Sequence, residues 1–540
     1  MSVLHTLARA EAVAARRAVA AATVRHRHVA ERPLVLVPLT TAGEAGAPLG
    51  AMVGTDRAVP TLLVVPQPLD RELRFGFFAG LAEALLPEVE RLSDEVEVEP
   101  ATRNREETEL CADALQIVVP NSAAVEFVRL VGRSTRFLRT VEDPEAPHPV
   151  PVPVPLLGRW LTHYAERART PGSSLLLAMT ELLTRHWATG QSAMEDQHLG
   201  ALLGWIDPPP GLDGPAAAAR AQTGRTPDGL LVSPPAGPAT DPVFDNRVLA
   251  PALARYDRAR AALEEAGDDA RRRAEVAAAQ EQVRELVASQ LRPTWDDVWH
   301  GLDLLRTLPE AEHVAERWKR DRWSFTGHRD RVRAGEPPQP KRDDAVTAAQ
   351  KLAGRETAQA RLAAQEALDD PLAMAVRRLS GEAFSGTVLD VVMTWSEGRR
   401  PMPRPVLTVA TDDLPQAEPG TKAYRALPGA RSAQSAELVA VEPRGPEEPE
   451  RAAPAPGWRV TVKLTGGMGS GRTPKEGSVP QVGDTVVFTL FEHDPRGGPA
   501  LPDAEQTPWT HGGPPQSAVP GAPAAPVADA PDPVTPEDYL

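Results

Sequence analysis

The stretch Phe384–Trp395, FSGTVLDVVMTW, is where the chain changes its period. Sequence before it reads as helix through Leu379, whereas these residues read as a strand. Four more short β-like runs follow, Pro405–Thr411, Glu437–Val441, Trp458–Leu464 and Thr485–Leu490, joined by Gly- and Pro-rich turns. Five short strands with such joints predict a small barrel, OB-like or SH3-like in shape. Val482-Gly483-Asp484-Thr485 resembles a turn entering its last strand.

Upstream lies a different pattern. Leu34–Val37 and Leu62–Val65 are apolar runs closed by Pro38 and Pro66, which suits buried strands. Phe75 to Leu92 places Phe75, Phe78, Leu81, Leu85 and Val89 at helical spacing. A third strand, Leu115–Val119, precedes a helix carrying Val125, Phe127, Val128 and Val131. Strand, helix, strand, helix predicts a sheet covered by helices. Residues 2 to about 31 read as one basic helix, and Leu156 to Ile206 as helical, with Trp160, Trp187 and Trp205 as anchors.

Asn246 to Leu291 predicts an αα-hairpin or a weakened long helix. Gly267 serves as the stop signal, and Asp268 or Asp269 as the cap that restarts it. Pro293 is expected to end this run, Thr294 with Asp297 to open another helix, and Pro309 to sit at the first turn of the next.

The chain is thus expected to be a multidomain α+β protein. An N-terminal α/β and helical domain spans 1–206 and a Pro/Gly-rich linker 207–243. The helical hairpin region spans 244–335, with linker and helix over 336–380. The barrel-like module spans 381–493, and 494–540 is a disordered acidic tail. Proline, 57 of 540 residues, is about twice its average usage, which places part of it in linkers.

Composition narrows the chemistry. The single cysteine, Cys111, excludes an internal disulfide, so a reducing cytoplasm is expected. No apolar run reaches the ~20 residues that span a bilayer, and the N-terminus lacks the hydrophobic core of a signal peptide. The first lysine is Lys319, so nothing before it supplies a Schiff-base or P-loop lysine.

Against a net charge of -15, VAERWKRDRWSFTGHRDRVR (Val314–Arg333) alternates cations with aromatics. Cations neutralise phosphates and flat rings stack on bases. Arg317, Trp318, Lys319, Arg320, Arg322, Trp323, Arg329 and Arg331 are therefore candidate nucleic-acid contacts, on a helix. The segment Gly466–Thr473, GGMGSGRT, has P-loop glycine spacing with Arg472 in the lysine position. Pro474 and a following strand argue for a barrel loop instead, one that touches nucleic acid through Arg472 and Lys475.

The twelve histidines show no metal spacing, and no G-x-S-x-G elbow is present. No catalytic residue, metal or cofactor is assigned. The expected role is a non-enzymatic accessory or adaptor protein of a bacterial cytoplasmic complex, working with other proteins such as a helicase or nuclease and contacting nucleic acid, away from membranes. Two alternatives stand: a protein-interaction scaffold without nucleic-acid binding, and a hydrolase whose carboxylates (Asp56, Asp70, Glu72, Asp113) pair in the α/β domain.

Overall fold

The computed structural model describes residues 3–101, 106–267, 269–397, 399–427, 432–444, 457–469 and 471–495. The tail expected over 494–540 falls outside these beyond Pro495. Among the described residues the chain divides into two compact units, one over His5–Lys351 and the other over residues 352–495 together with Val3 and Leu4.

The first unit is built on a five-stranded sheet. In chain order its strands are β1 (Leu34–Thr40), β2 (Pro48–Gly54) and β3 (Thr61–Val64), then, after a separate two-stranded ribbon of β4 (Val96–Glu99) and β5 (Thr108–Cys111), β6 (Ile117–Val119) and β7 (Leu176–Ala178). The spatial order is β3-β2-β1-β6-β7. β1 runs parallel to β6 and β6 to β7, while β1–β2 and β2–β3 are antiparallel. Every residue of β1 is buried, because both faces of the sheet are covered.

The two-residue period sorts β1 between two cores. Leu34 and Leu36 join Ile117, Val119 and Leu176 on one face; Val35, Val37 and Leu39 join Val118 and Leu177 on the other.

The unit's helices are α1 (Val3–Ala15), α2 (Arg71–Asp94), α3 (Ser122–Thr135), α4 (Pro153–Ala168), α5 (Met179–His186), α6 (Leu199–Ile206), α7 (Gly214–Thr223), α8 (Ala250–Ala266), α9 (Ala270–Arg306) and α10 (Val314–Arg333). α2, α3, α4 and α10 supply the first core with Phe78, Leu81, Val128, Trp160 and Phe325. α5, α6 and α9 supply the second with Leu183, Leu202, Val287 and Trp295. Among the described residues no helix is long and apolar enough to cross a membrane.

Several expectations are corrected here. The N-terminal helix stops at Ala15, and Arg16 takes a φ of 53°, outside the helical range. Arg25, His26 and Arg27 therefore do not share a helix. They lie buried in an extended segment bonded through Arg25 to Pro309 and Ala311. Leu176 and Leu177 form a strand rather than a helix. Residues 207–243 carry α7, whose Ala217, Ala218 and Ala221 are buried, the first against Gly204 of α6.

Helix α9 runs through Pro293 instead of ending there. The proline ring is exposed, while Val283, Val287, Leu291, Trp295, Val298, Leu302 and Leu305 form one unbroken buried stripe. That burial, at roughly 1.5–3 kcal/mol per large side chain, outweighs the ~3 kcal/mol an interior proline costs. The break expected at Gly267 is present. Gly267 has a φ of 70°, and Asp269 caps α9 by accepting from the Arg272 N–H at 2.9 Å. Arg255 of α8 reaches Gln282 of α9, so the two form an αα-hairpin. Pro309 precedes α10 by five residues, its carbonyl accepting from Arg25 rather than opening the helix.

The second unit contains most of α11 (Ala345–Asp369), α12 (Pro371–Leu379) and a closed barrel of six antiparallel strands. These are β8 (Ala383–Val392), β9 (Val406–Thr411), β10 (Lys422–Arg425), β11 (Gln434–Pro443), β12 (Trp458–Leu464) and β13 (Thr485–Thr489). Around the barrel the order is β8-β9-β12-β11-β10-β13. The sixth strand is β10, too short to read from its residues. Its closure distinguishes the barrel from the five-stranded, partly open OB arrangement. Alternate residues of β9 and β12 point inward, Leu407 and Val409 against Val460 and Val462, and Phe384 stacks on Phe488 with centroids 5.5 Å apart.

Candidate nucleic-acid interface

Helix α10 forms over the predicted residues, but all its cations except Arg331 face inward or meet carboxylates. Arg317 is buried and donates to the His26 carbonyl at 3.1 Å. Trp318 stacks on His28 at 4.2 Å, and its Nε1–H donates to Asp113 Oδ1 at 2.9 Å. Lys319 pairs with Glu99 at 2.6 Å, Arg320 with Glu316 at 3.5 Å, and Arg322 with Glu97 at 2.5 Å. Arg329 is buried and donates to the Ser93 carbonyl at 2.9 Å, and Arg333 pairs with Asp94.

Trp323 is half-buried, and Arg331 is exposed without an ion pair among the described residues. The complement of the helix is the acidic run Asp94–Glu99, DEVEVE, which enters the β4 ribbon. That run is the signal in the sequence that accounts for Lys319, Arg322 and Arg333.

The buried Asp321 sits at the centre of this arrangement. It accepts from Arg167 Nη2 at 2.7 Å, Ser173 Oγ at 2.8 Å and the Ser174 N–H at 2.6 Å. Through these bonds Ser173 and Ser174 tie the entry of β7 to α10.

Three of the carboxylates considered for hydrolysis are held in structural bonds. Asp70 caps α2 and pairs with Arg260, with its carboxyl held below the usual range: burial opposes this but is outweighed by the bonds to Arg260 and the Leu73 N–H. Asp113 accepts from Trp318, and Asp56 accepts from the Ala58 N–H in a turn. Among the described residues no group of three His, Cys, Asp or Glu could hold a metal ion.

The barrel arranges its cations differently. Its β8–β9 connection extends as a hairpin: the Arg404 N–H donates to the Thr394 carbonyl at 2.7 Å, and the Ser396 N–H to the Met402 carbonyl at 2.8 Å. Arg399 and Arg400 occupy the exposed tip, and Arg404 is half-buried at its base. The β12–β13 connection carries Arg472 and Lys475, both exposed. Buried Met468 plugs this loop into the barrel core. Its Ser478 carbonyl accepts from Arg425 at 3.0 Å and Gln434 at 2.8 Å. Gly467, Gly469 and Gly477 take φ values of 76°, 88° and 73°, which turn the loop back on itself.

After Thr473 the chain turns and enters β13, so no helix N-terminus faces the glycines and the P-loop alternative does not apply.

Trp395 joins the two connections. Its Nε1–H donates to the Arg472 carbonyl at 3.2 Å, yet the residue remains 46% exposed. None of Arg399, Arg400, Arg404, Arg472 and Lys475 forms an ion pair among the described residues; Glu397 and Glu476 are the nearby acids on the two loops. Two of the predicted contacts, Arg472 and Lys475, thus share one barrel end with Trp395, Arg399, Arg400 and Arg404. The prediction omitted these four because they are spread over a turn-rich segment. Strand register sets this end opposite an open groove of about 810 Å³ lined by Leu414, Trp458, Glu382 and Glu418.

Comparison with protein-family models, curated proteins and solved structures finds no match to this chain.

Proposed function

We propose that this protein is a non-enzymatic accessory protein that contacts nucleic acid through the barrel end formed by the β8–β9 and β12–β13 connections, and works beside a partner protein such as a helicase or nuclease. One observation carries the reading: five cations free of ion pairs gather around an exposed tryptophan, in a chain of net charge -15. On α10, by contrast, Lys319, Arg320, Arg322 and Arg333 meet carboxylates. Cations left without carboxylates at a loop end are available to phosphates. The acidic remainder repels a long polyanion, so contact is local.

The test is fluorescence anisotropy of a labelled mixed-sequence oligonucleotide with the full-length protein across a salt series. Binding is expected to weaken with salt. Replacing both Arg399 and Arg400 with Gln should lower affinity about tenfold and reduce the log–log salt slope by about 2. An absence of binding at about 20 mM salt would reject the reading, since the electrostatic contribution is largest there.

A further inference from the structure

We infer that the barrel end is a single-strand site, at which an unpaired base stacks on Trp395 while Arg399, Arg400, Arg472 and Lys475 hold the flanking phosphates; this rests on the nucleic-acid contact proposed above. The indole of Trp395 has a single polar group. Its N–H, the only hydrogen-bonding group of the side chain, is spent on the Arg472 carbonyl at 3.2 Å. Trp395 therefore has no donor left to read a base edge in a groove. What it offers is ring surface, and nearly half of the residue is open to solvent.

A π-face recognises the face of a base, and in a duplex those faces are covered by neighbouring bases. Only an unpaired or splayed-out base presents one, and stacking on it is tolerant of sequence.

The cations fit the same geometry. They sit on two loops that the Trp395 hydrogen bond joins, rather than along one helix face. Arg399 and Arg400 are at one hairpin tip; Arg472 and Lys475 are on the loop that accepts the Trp395 hydrogen bond. This is a short footprint, suited to a few successive phosphates of one strand. Among the described residues these connections hold no helix that could enter a major groove, and the β8–β9 hairpin carries its two arginines at the tip rather than along a face.

The experiment measures binding of the full-length protein to three probes: a labelled dT oligomer of about 12 nucleotides, the matching rU oligomer, and a blunt DNA duplex of the same length. The single strands are expected to bind at least about tenfold tighter than the duplex. Trp395→Ala should lower single-strand affinity about tenfold and leave duplex affinity unchanged. Trp395→Phe, which keeps a ring but not the N–H, should recover most of that loss. It also guards against mistaking a misfolded loop for lost stacking, together with an unchanged near-UV dichroism spectrum.

A preference for dT over rU or the reverse identifies which single-stranded polymer is bound, and either supports the inference. Duplex binding as tight as single-strand binding overturns the inference but not the nucleic-acid contact. So does single-strand affinity unchanged in Trp395→Ala when the Arg399 and Arg400 substitutions still weaken it. Failure of all three probes to bind overturns the nucleic-acid contact itself.

Discussion

The backbone N–H of Ser174 donates to Oδ2 of Asp321 at 2.6 Å, joining residues 147 positions apart at the entry of a sheet strand. With Arg167 and Ser173 also bonded to it, this carboxylate fastens α10 to the sheet. Asp321→Ala leaves the guanidinium and two donors unmatched in the interior and should cost about 3–5 kcal/mol. Asp321→Asn should cost less. Urea denaturation measures both, and a loss under about 1 kcal/mol for the alanine variant would show the knot to be dispensable.

The outward cations of α10 should behave as ordinary surface charges. Lys319→Gln and Arg333→Gln are expected to change stability by less than about 1 kcal/mol, because their ion pairs are solvent-exposed. Neither should alter oligonucleotide affinity. A drop in affinity on replacing them would return the contact surface to this helix.

Acid should weaken the first unit through His163 and His328, whose buried rings stack 4.3 Å apart between α4 and α10. Burial, with Arg331 nearby, lowers His328 from 6.5 to about 3 and holds His163 well below 6.5. Above pH 6.5 both rings are neutral, folded or unfolded, and the full stability is present. As pH falls below that value the unfolded chain takes up protons first, so stability declines toward pH 3. Replacing both histidines with Gln should flatten the dependence between about pH 6 and pH 4, measured by chemical denaturation at several pH values. An unchanged slope would place the acid sensitivity elsewhere.

Asp297 titrates with the opposite sense. Burial, reinforced by neighbouring Asp296, raises it from 3.8 to about 7. The folded protein keeps a proton that the unfolded chain releases, so this group costs stability progressively as pH rises from 3.8 toward 7. Asp297→Asn should therefore stabilise the protein at pH 8 by about 1–2 kcal/mol, a figure reduced for partial exposure, and should have little effect near pH 4. A variant less stable at pH 8 would contradict the assignment.

Gly386 should be irreplaceable in the barrel wall. A Cβ there would lie 2.2 Å from the Ala410 carbonyl oxygen and 2.7 Å from Val409 Cγ1. Backbone on the adjacent strand has little room to retreat, so Gly386→Val is expected to destabilise the barrel by more than about 2 kcal/mol. Thermal melting followed by near-UV dichroism checks this; a melt like that of the parent would mean that β8 and β9 can part locally.

The fold was legible where local pattern and burial agree. The β1 run Leu34–Val37, the α2 stripe from Phe75 to Val89 and the strand Trp458–Leu464 all follow from apolar spacing. Reading stopped short where tertiary contact overrides local signals. Pro293 ends a helix in isolation, but not when seven large side chains on the same stripe are buried around it. Lys422–Arg425 is a strand only because β11 and β13 flank it.

The candidate site shows the same limit. Charge density drew attention to α10, but density does not reveal partners, and Asp94, Glu97 and Glu99 lie more than 200 positions from the cations they meet. The barrel cations are sparser in sequence, and only chain folding brings Trp395 to Arg472, 77 positions away.

That last hydrogen bond also constrains how the chain can vary. A side chain rooted in one connection grips the main chain of another, so neither loop is an independent insertion point. A residue added between Trp395 and Pro403, or between Met468 and Ser478, would shift the grip out of alignment unless the other loop changed length to match. The two connections are a length-matched pair, and relatives that keep one span should keep the other.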